Sequence, residues 1–147
     1  MLGIFAAWHC SVSNDWQSDL ILAAFLSVIG FAADTALLHA GVLSYATPVP
    51  WIQAAPVWIV VLWAGFALTL NHSMGFLHGR PMWAAVFGLL GGPLAYWVAD
   101  NVWDAATLSS NTAYALIALG VVWAILTPAA MALAFHLRKT ELAPASG

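Results

Sequence analysis

Charged residues are scarce in this chain. Only 6% of its 147 residues are Asp, Glu, Lys or Arg, whereas an ordinary soluble domain has about 25%. With three Lys and Arg in total, the chain has no basic patch, which excludes nucleic acid as a partner. The single cysteine, Cys10, has no second cysteine with which to form an internal disulfide.

Apolar residues fill the places that charged residues leave. They make up 63% of the chain, and a soluble domain of this length has too much surface for its volume to hide them all. Nine tryptophans are present, and their amphipathic rings collect at membrane–water interfaces. The composition therefore predicts an integral membrane protein.

Four segments have the roughly 20 apolar residues that a membrane-spanning helix needs. They cover residues 20–43, 51–77, 82–103 and 113–137, and Pro, Gly, Ser, Asn and Asp are frequent between them. We predict an all-α, polytopic transmembrane helical bundle of about four spans. It forms a single membrane domain over residues 1–139, followed by a polar, disordered tail over residues 140–147.

Residues 1–19 do not contain a full span of their own. Leu2–Val12 is apolar but too short to cross a bilayer. It is interfacial, re-entrant or part of a further span, and the sequence does not distinguish these alternatives. The segment has no basic region before it, so we do not predict a removable signal peptide.

The few cations predict the orientation. Arg80 lies between the second and third spans, and Arg138 and Lys139 follow the fourth. The loops on the opposite side have no cation and contain Asp100 and Asp104. Because Lys and Arg concentrate in cytoplasmic loops, we expect both termini in the cytoplasm and the protein in the cell inner membrane.

Asp34 is the first candidate functional residue, because an ionisable group inside a span is costly and often functional. Ser27, Gly30 and Gly41 lie near it on one small, polar stripe, which should face protein rather than lipid. Two interpretations stay open. Asp34 is either a hydrogen-bonded carboxyl that holds helices together or a group with a catalytic or binding role.

The second candidate is His72, in the polar stretch "NHS" near the end of the second span. Gly65 and Thr69 precede His72 at helical spacing, so His72 should face inward, while Asn71 points about 100° away. His72 is either an interhelical hydrogen-bonding partner or a general acid or base that Asn71 or Asp34 orients. Together with Ser73, these residues indicate an internal polar site.

Neither a direct Asp34–His72 pair nor a metal centre follows from the spacing. The predicted boundaries place the two backbones at depths that differ by roughly 12 Å, so a hydrogen bond between them needs an intervening group. His72 and His78 are about 120° out of phase on a helix. The sequence has no HExxH or CxxC motif. We predict no metal site and no cofactor, with a metal or haem kept as an alternative.

Small residues follow one face of the third span. Gly88 and Gly92 form a GxxxG motif that Ala95 extends, and such a ridge lets a second helix approach closely. The proline after Gly92 should kink the helix and free a backbone carbonyl. The face serves helix packing alone, or it borders a cavity at the kink with Tyr96 and Asp100 as candidate binding residues.

The connection between the first two spans, "SYATPVPWIQAAPVW", is rich in proline and aromatic residues. Its prolines restrict the backbone. We expect Tyr45, Trp51 and Trp58 to anchor this connection at the outer membrane interface.

Several phrases resemble a bacterial family of small polytopic membrane proteins that is catalogued only as a domain of unknown function. These phrases are Asp34 followed by "GVLSY", then "PVWIVVLWAGFALTLNHSM", "GRP" and "GGPLAYWVA". The resemblance covers roughly residues 30–100. It implies a multi-pass membrane fold and an association with fatty-acid-modification genes, near which members are often encoded, but no reaction. Members usually have more hydrophobic sequence before the Asp-bearing span, where this chain has only "IFAAWHCSV".

Three functions remain compatible with the sequence. The one we favour is a non-catalytic accessory subunit or helper in a membrane complex or a lipid-related process. The alternatives are an intramembrane enzyme that acts on lipid with His72 as acid or base, and a small carrier or channel protomer. The expected partners are membrane lipids and either further copies of the chain or other membrane subunits.

Overall fold

The computed structural model describes residues 16–49, 51 and 53–142, without the side chains of residues 71 and 139–142. The described chain has four α-helices, and these confirm the predicted all-α bundle. In chain order the elements are α1 (Trp16–His39), β1 (Leu43–Tyr45), α2 (Val57–His72), a short 3-10 helix (Gly75–Leu77), α3 (Pro81–Asn101), β2 (Ala106–Leu108) and α4 (Thr112–Leu142). The expectations for Leu2–Val12 and for the last five residues lie outside the described residues.

Three of the helices, α1, α3 and α4, are long and apolar enough to cross a membrane. The fourth, α2, has 16 residues and is therefore about 24 Å long, less than the roughly 30 Å of a bilayer core. The chain is a membrane protein with three full-length candidate spans and one shorter apolar helix.

The first helix is displaced toward the N-terminus relative to the prediction of residues 20–43. It ends at His39 because Gly41 takes a positive φ of 68° and closes the helix. The amide of Gly41 donates to Leu38 at 3.1 Å, and the amide of Val42 donates to Leu37 at 3.0 Å. These two bonds are the Schellman motif, in which glycine follows the last helical turn.

The predicted second span, residues 51–77, is wrong at both ends. Pro56 is the N-cap of α2 and has an extended backbone, so the helix begins one residue later. At the other end, Ser73 closes the helix and the chain continues into the 3-10 turn. A proline before α2 and glycines after it interrupt the helix. Hydropathy alone shows this whole stretch as one continuous apolar segment.

The last helix exceeds its predicted span, residues 113–137, and continues to Leu142. A disordered tail was predicted from residue 140, so the first three residues of that tail are helical instead. Lys139, Glu141 and Leu142 are good helix formers, and they extend α4 beyond its apolar part.

The helices pack as two antiparallel pairs, α1 with α2 and α3 with α4, and α4 also contacts α1 and α2. A two-stranded antiparallel sheet, absent from the prediction, links the two pairs, with Leu43 opposite Leu108 and Tyr45 opposite Ala106. Leu43 and Tyr45 are buried and Ser44 is exposed, as the period of two in a strand requires. The sheet therefore directs Tyr45 into the bundle.

Gly88 and Gly92 lie where α3 crosses α4. A Cβ atom at Gly88 would lie 2.2 Å from the backbone oxygen of Trp123, and one at Gly92 would lie 2.2 Å from its ring. The small residues thus let α3 approach a helix of the same chain. Ala95, the third member of the predicted ridge, is exposed instead.

Candidate functional site

Asp34 lies at the centre of a buried hydrogen-bond cluster. Its side chain is on α1 and only 1% exposed. The hydroxyl of Tyr45 donates to Oδ1 at 2.6 Å, and the indole N–H of Trp63 donates to Oδ2 at 2.7 Å. The hydroxyl of Tyr96 also donates to Oδ1. We call Asp34 and these three donors the Asp34 cluster.

Each donor of the Asp34 cluster comes from a different element. Tyr45 is on β1, Trp63 on α2 and Tyr96 on α3, so the carboxyl on α1 joins four elements. Trp63 is held in place by stacking on Trp123 of α4, with ring centroids 4.6 Å apart. It also lies against Gly30, where a Cβ atom would come within 2.0 Å of its ring. The absence of a side chain at Gly30, one turn before Asp34, is what admits the indole.

The donors satisfy a group that would otherwise be costly to bury. A buried carboxyl without partners costs several kcal/mol or more, and here both oxygens accept hydrogen bonds. Burial, and secondly the charge of Asp34, raises the pKa of Tyr45 far above its usual range, so its hydroxyl remains a donor at every physiological pH. The arrangement connects helices and leaves the carboxyl enclosed by protein.

An apolar cavity of about 200 Å³ adjoins the Asp34 cluster. Trp63 and Tyr96 line it, so two of the residues that donate to Asp34 also form its wall. Ala95 lines it as well. The cavity matches the position beside Tyr96 at which the sequence suggested one, but Asp100 is not among its lining residues.

His72 has a different partner. As the last residue of α2, it brings its Nε2 within 3.1 Å of Oδ2 of Asp19, in the first turn of α1. The Asp19 side chain is 1% exposed, whereas that of His72 is 44% exposed. His72 was expected to face inward. It lies at the edge of the bundle instead, because α2 ends at this residue.

The structure thus separates the two residues that the sequence singled out. Asp34 and His72 have no common partner among the hydrogen bonds of the described side chains. Ser73 is the exposed C-cap of α2. Asp100 accepts a long bond of 3.4 Å from the amide of Leu108, and the Asn71 side chain lies outside the described part. Within that part there is no group of three His, Cys, Asp or Glu able to hold a metal ion.

Sequence reasoning missed Asp19, Tyr45 and Trp63. Asp19 falls just outside the predicted first span, residues 20–43. Tyr45 was interpreted as an interface anchor, but it is 6% exposed and bonded to Asp34. The glycine at position 41 was the available sequence signal for this contact. A glycine that ends a helix reverses the chain, which brings Tyr45 back toward α1. For Trp63, 29 residues from Asp34, no local pattern existed.

His78, between α2 and α3, should make stability depend on pH. Burial lowers its pKa, with the positive charge of Arg138 as the second cause. Its Nε2 is fully buried and has no hydrogen-bond partner among the described residues. Because the folded-state pKa is the lower one, the stabilisation is complete above the unfolded-state pKa of about 6.5 and is lost as pH falls through the folded-state pKa.

We therefore expect the melting temperature in detergent to fall between about pH 7.5 and pH 5, in line with an unperturbed histidine pKa of about 6.5. In His78→Phe, which removes the titrating ring, the fall should be smaller. His39→Gln, at the exposed end of α1, is the control and should keep the wild-type dependence. An equal fall in His78→Phe and wild type would contradict the assignment.

No curated protein and no solved structure matches this chain. A family model does match, over residues 1–129, and its description is "Protein of unknown function (DUF2878)". The match confirms the resemblance seen in the motifs around Asp34 and Tyr96 and extends it to the N-terminal residues. The chain belongs to the DUF2878 family.

Proposed function

We propose that this protein is a non-catalytic accessory subunit or helper in a membrane complex or a lipid-related process. It acts in the bacterial inner membrane, with both termini in the cytoplasm. Its partners are membrane lipids and other membrane subunits or further copies of the chain.

The observation that carries the proposal is the Asp34 cluster. Asp34 is an ionisable residue within the candidate span Trp16–His39, and such residues are functional candidates by default. Here both of its oxygens accept hydrogen bonds from neighbouring elements. A carboxyl enclosed in this way stabilises one arrangement of helices, which is what a protein needs in order to present a constant surface to a partner.

The outer surface supports a role in assembly. The face of α3 opposite α4 is apolar, and Leu90, Leu94 and Trp97 are exposed on it. Apolar side chains on such a surface contact lipid or the helices of another subunit. Trp97 gives this face an aromatic group, of the kind enriched at protein interfaces.

The position of the cations supports the orientation. Arg80 and His136 line one pocket, and Arg138 lies close enough to His78 to act on its charge. The two described arginines therefore lie at one end of the bundle. The positive-inside rule makes that end cytoplasmic.

Complementation of a deletion strain tests the proposal, with the lipid composition of the membrane and the amount of native complex as readouts. We expect His72→Gln to restore both, because an accessory subunit needs no acid or base. Asp34→Ala should restore neither, because the bundle itself is disturbed. A His72→Gln protein that accumulates and assembles normally but does not restore the lipid composition would overturn the proposal.

A second candidate function, an intramembrane enzyme acting on lipid, is favoured by the Asp19–His72 pair. A buried carboxylate that bonds one nitrogen of a half-exposed histidine fixes the orientation of the ring. Asp19 is 1% exposed and bonds His72 in this way. The sequence suggested Asn71 or Asp34 as the group that orients His72, and under this alternative Asp19 takes that role. Under this alternative His72 is the acid or base and Asp19 its positioning residue.

Variants of the pair separate this alternative from the accessory role. For an enzyme, His72→Gln should lower turnover by about 10²–10⁴-fold. Asp19→Asn should lower turnover by a smaller factor, because it disturbs only the orientation of the ring. For an accessory subunit, both variants should change only the melting temperature, since each weakens the hydrogen bond between His72 and Asp19.

A further inference from the structure

A second pocket lies at the same end of the bundle as the two described arginines. Its volume is about 300 Å³, and we call it the boundary pocket. It is lined by Leu77, Gly79, Arg80, Pro81, Pro128, Met131, Ala132, Phe135 and His136. It shares no residue with the Asp34 cluster or its cavity. The Asp34 cluster therefore does not account for this pocket.

The depth of the boundary pocket follows from the helix ends. Arg80 immediately precedes the candidate span Pro81–Asn101, and the candidate span in α4 ends at Arg138. These cations therefore mark the boundary of the hydrocarbon region. Pro128 lies ten residues before Arg138 on α4, which is about 15 Å along the helix axis. The pocket thus extends from the headgroup region into the acyl-chain region.

The lining of the boundary pocket changes in character along this depth. Its deep part is apolar, with Pro128, Met131 and Ala132 on one face of α4. Its rim has the exposed Arg80 and His136. The start of α3 adds the positive end of a helix dipole, and no acidic residue in its first turn offsets this charge.

We propose that the boundary pocket binds one anionic phospholipid, with its phosphate against Arg80 and His136 and an acyl chain along Pro128, Met131 and Ala132. Charge complementarity selects the anionic headgroup, because basic pockets between spans at the cytoplasmic side attract such lipids. The apolar depth selects a lipid over a free phosphate. A soluble anion would leave the pocket's apolar wall without a contact. This assignment does not depend on the proposed accessory function.

Thermal unfolding of the full-length protein in dodecyl maltoside micelles tests the proposal. The ligands are phosphatidylglycerol and, as the neutral control, phosphatidylcholine with the same acyl chains. A ligand that binds only the folded state stabilises it, and at about ten times Kd it should raise the melting temperature by about 5 °C. We expect this shift with phosphatidylglycerol and a clearly smaller one with phosphatidylcholine.

Two pairs of variants localise the effect. The phosphatidylglycerol concentration that gives half of the melting-temperature shift should be about fivefold higher for Arg80→Gln than for wild type. For Arg80→Lys this concentration should stay within about twofold of the wild-type value. Ala132→Leu narrows the pocket and should also weaken the effect of the lipid. Ala129→Leu changes another exposed alanine of α4 that does not line the pocket, and it should behave as wild type.

Three results would overturn the proposal. The first is an equal shift with both lipids. The second is a wild-type response of the melting temperature to phosphatidylglycerol in both Arg80→Gln and Ala132→Leu. The third is an equal shift with glycerol phosphate or inorganic phosphate, which would make the pocket a site for a free anion. Arg80 and Ala132 are exposed, and a single symmetric peak in gel filtration shows that the variants are folded.

Discussion

Asp34→Ala should prevent the bundle from accumulating in the membrane. The substitution leaves the hydroxyls of Tyr45 and Tyr96 and the indole N–H of Trp63 without their acceptor. Each buried donor that loses its partner costs about 1–3 kcal/mol, so the three together cost about 3 kcal/mol or more. That loss is a large part of the free energy of unfolding of an ordinary domain, about 5–15 kcal/mol.

The amount of membrane-inserted protein and its melting temperature in detergent measure this effect. Asp34→Asn retains one acceptor oxygen and should be less damaging than Asp34→Ala. Asp104→Asn is the control, because Asp104 is exposed and has a positive φ of 49°, which asparagine tolerates. If Asp34→Ala accumulated and melted as Asp104→Asn does, the Asp34 cluster would not stabilise the fold.

Gly88→Ala should separate α3 from α4. The new methyl group would lie 2.2 Å from the backbone oxygen of Trp123 and 2.5 Å from Oγ1 of Thr127. Because a backbone atom cannot rotate away, the helices must move, and overpacking of this kind typically costs about 1–3 kcal/mol. Movement at Trp123 also disturbs Trp63, which stacks on it, so the effect should reach the Asp34 cluster.

The neighbouring glycines provide comparisons. At Gly92 the obstacles are Cγ of Trp123, 2.2 Å away, and Cβ of Trp123, 2.7 Å away. Because Cβ is bonded to the backbone and cannot rotate clear, Gly92→Ala should lower the melting temperature about as much as Gly88→Ala does. At Gly91 the nearest atom is 3.9 Å away on Phe87, so Gly91→Ala should melt at or above the wild-type temperature. Melting curves followed by tryptophan fluorescence measure all three. Equal melting temperatures for Gly88→Ala and Gly91→Ala would contradict the packing described.

The sequence was sufficient for the helical class. A chain with so few charges has the bilayer as its plausible solvent, and apolar segments of about 20 residues satisfy their backbone there as helices. It was less reliable for α2, where hydropathy extended the helix past Pro56 and Ser73. Hydropathy measures solubility in lipid, whereas a helix ends where proline or glycine changes the backbone. The two-stranded sheet was not predicted, since three-residue strands have no detectable period.

The candidate site was predictable only in part. Asp34 stands out because a carboxyl in an apolar span needs an explanation. Its donors come from three other elements, and the long-range packing that brings Trp63 and Tyr96 to one carboxyl leaves no local pattern in the sequence. The partner of His72 was missed because an error of four residues in the start of α1 placed Asp19 outside the membrane domain's helices.

Native mass spectrometry of the tagged, full-length protein, gently solubilised from its own membranes, tests the central claim most directly. The accessory role predicts that the chain is detected together with other membrane subunits at a fixed stoichiometry, and that Asp104→Asn retains these partners. Detection of the wild-type chain only as a monomer, or only as a homo-oligomer with a bound lipid or cofactor, would contradict that role.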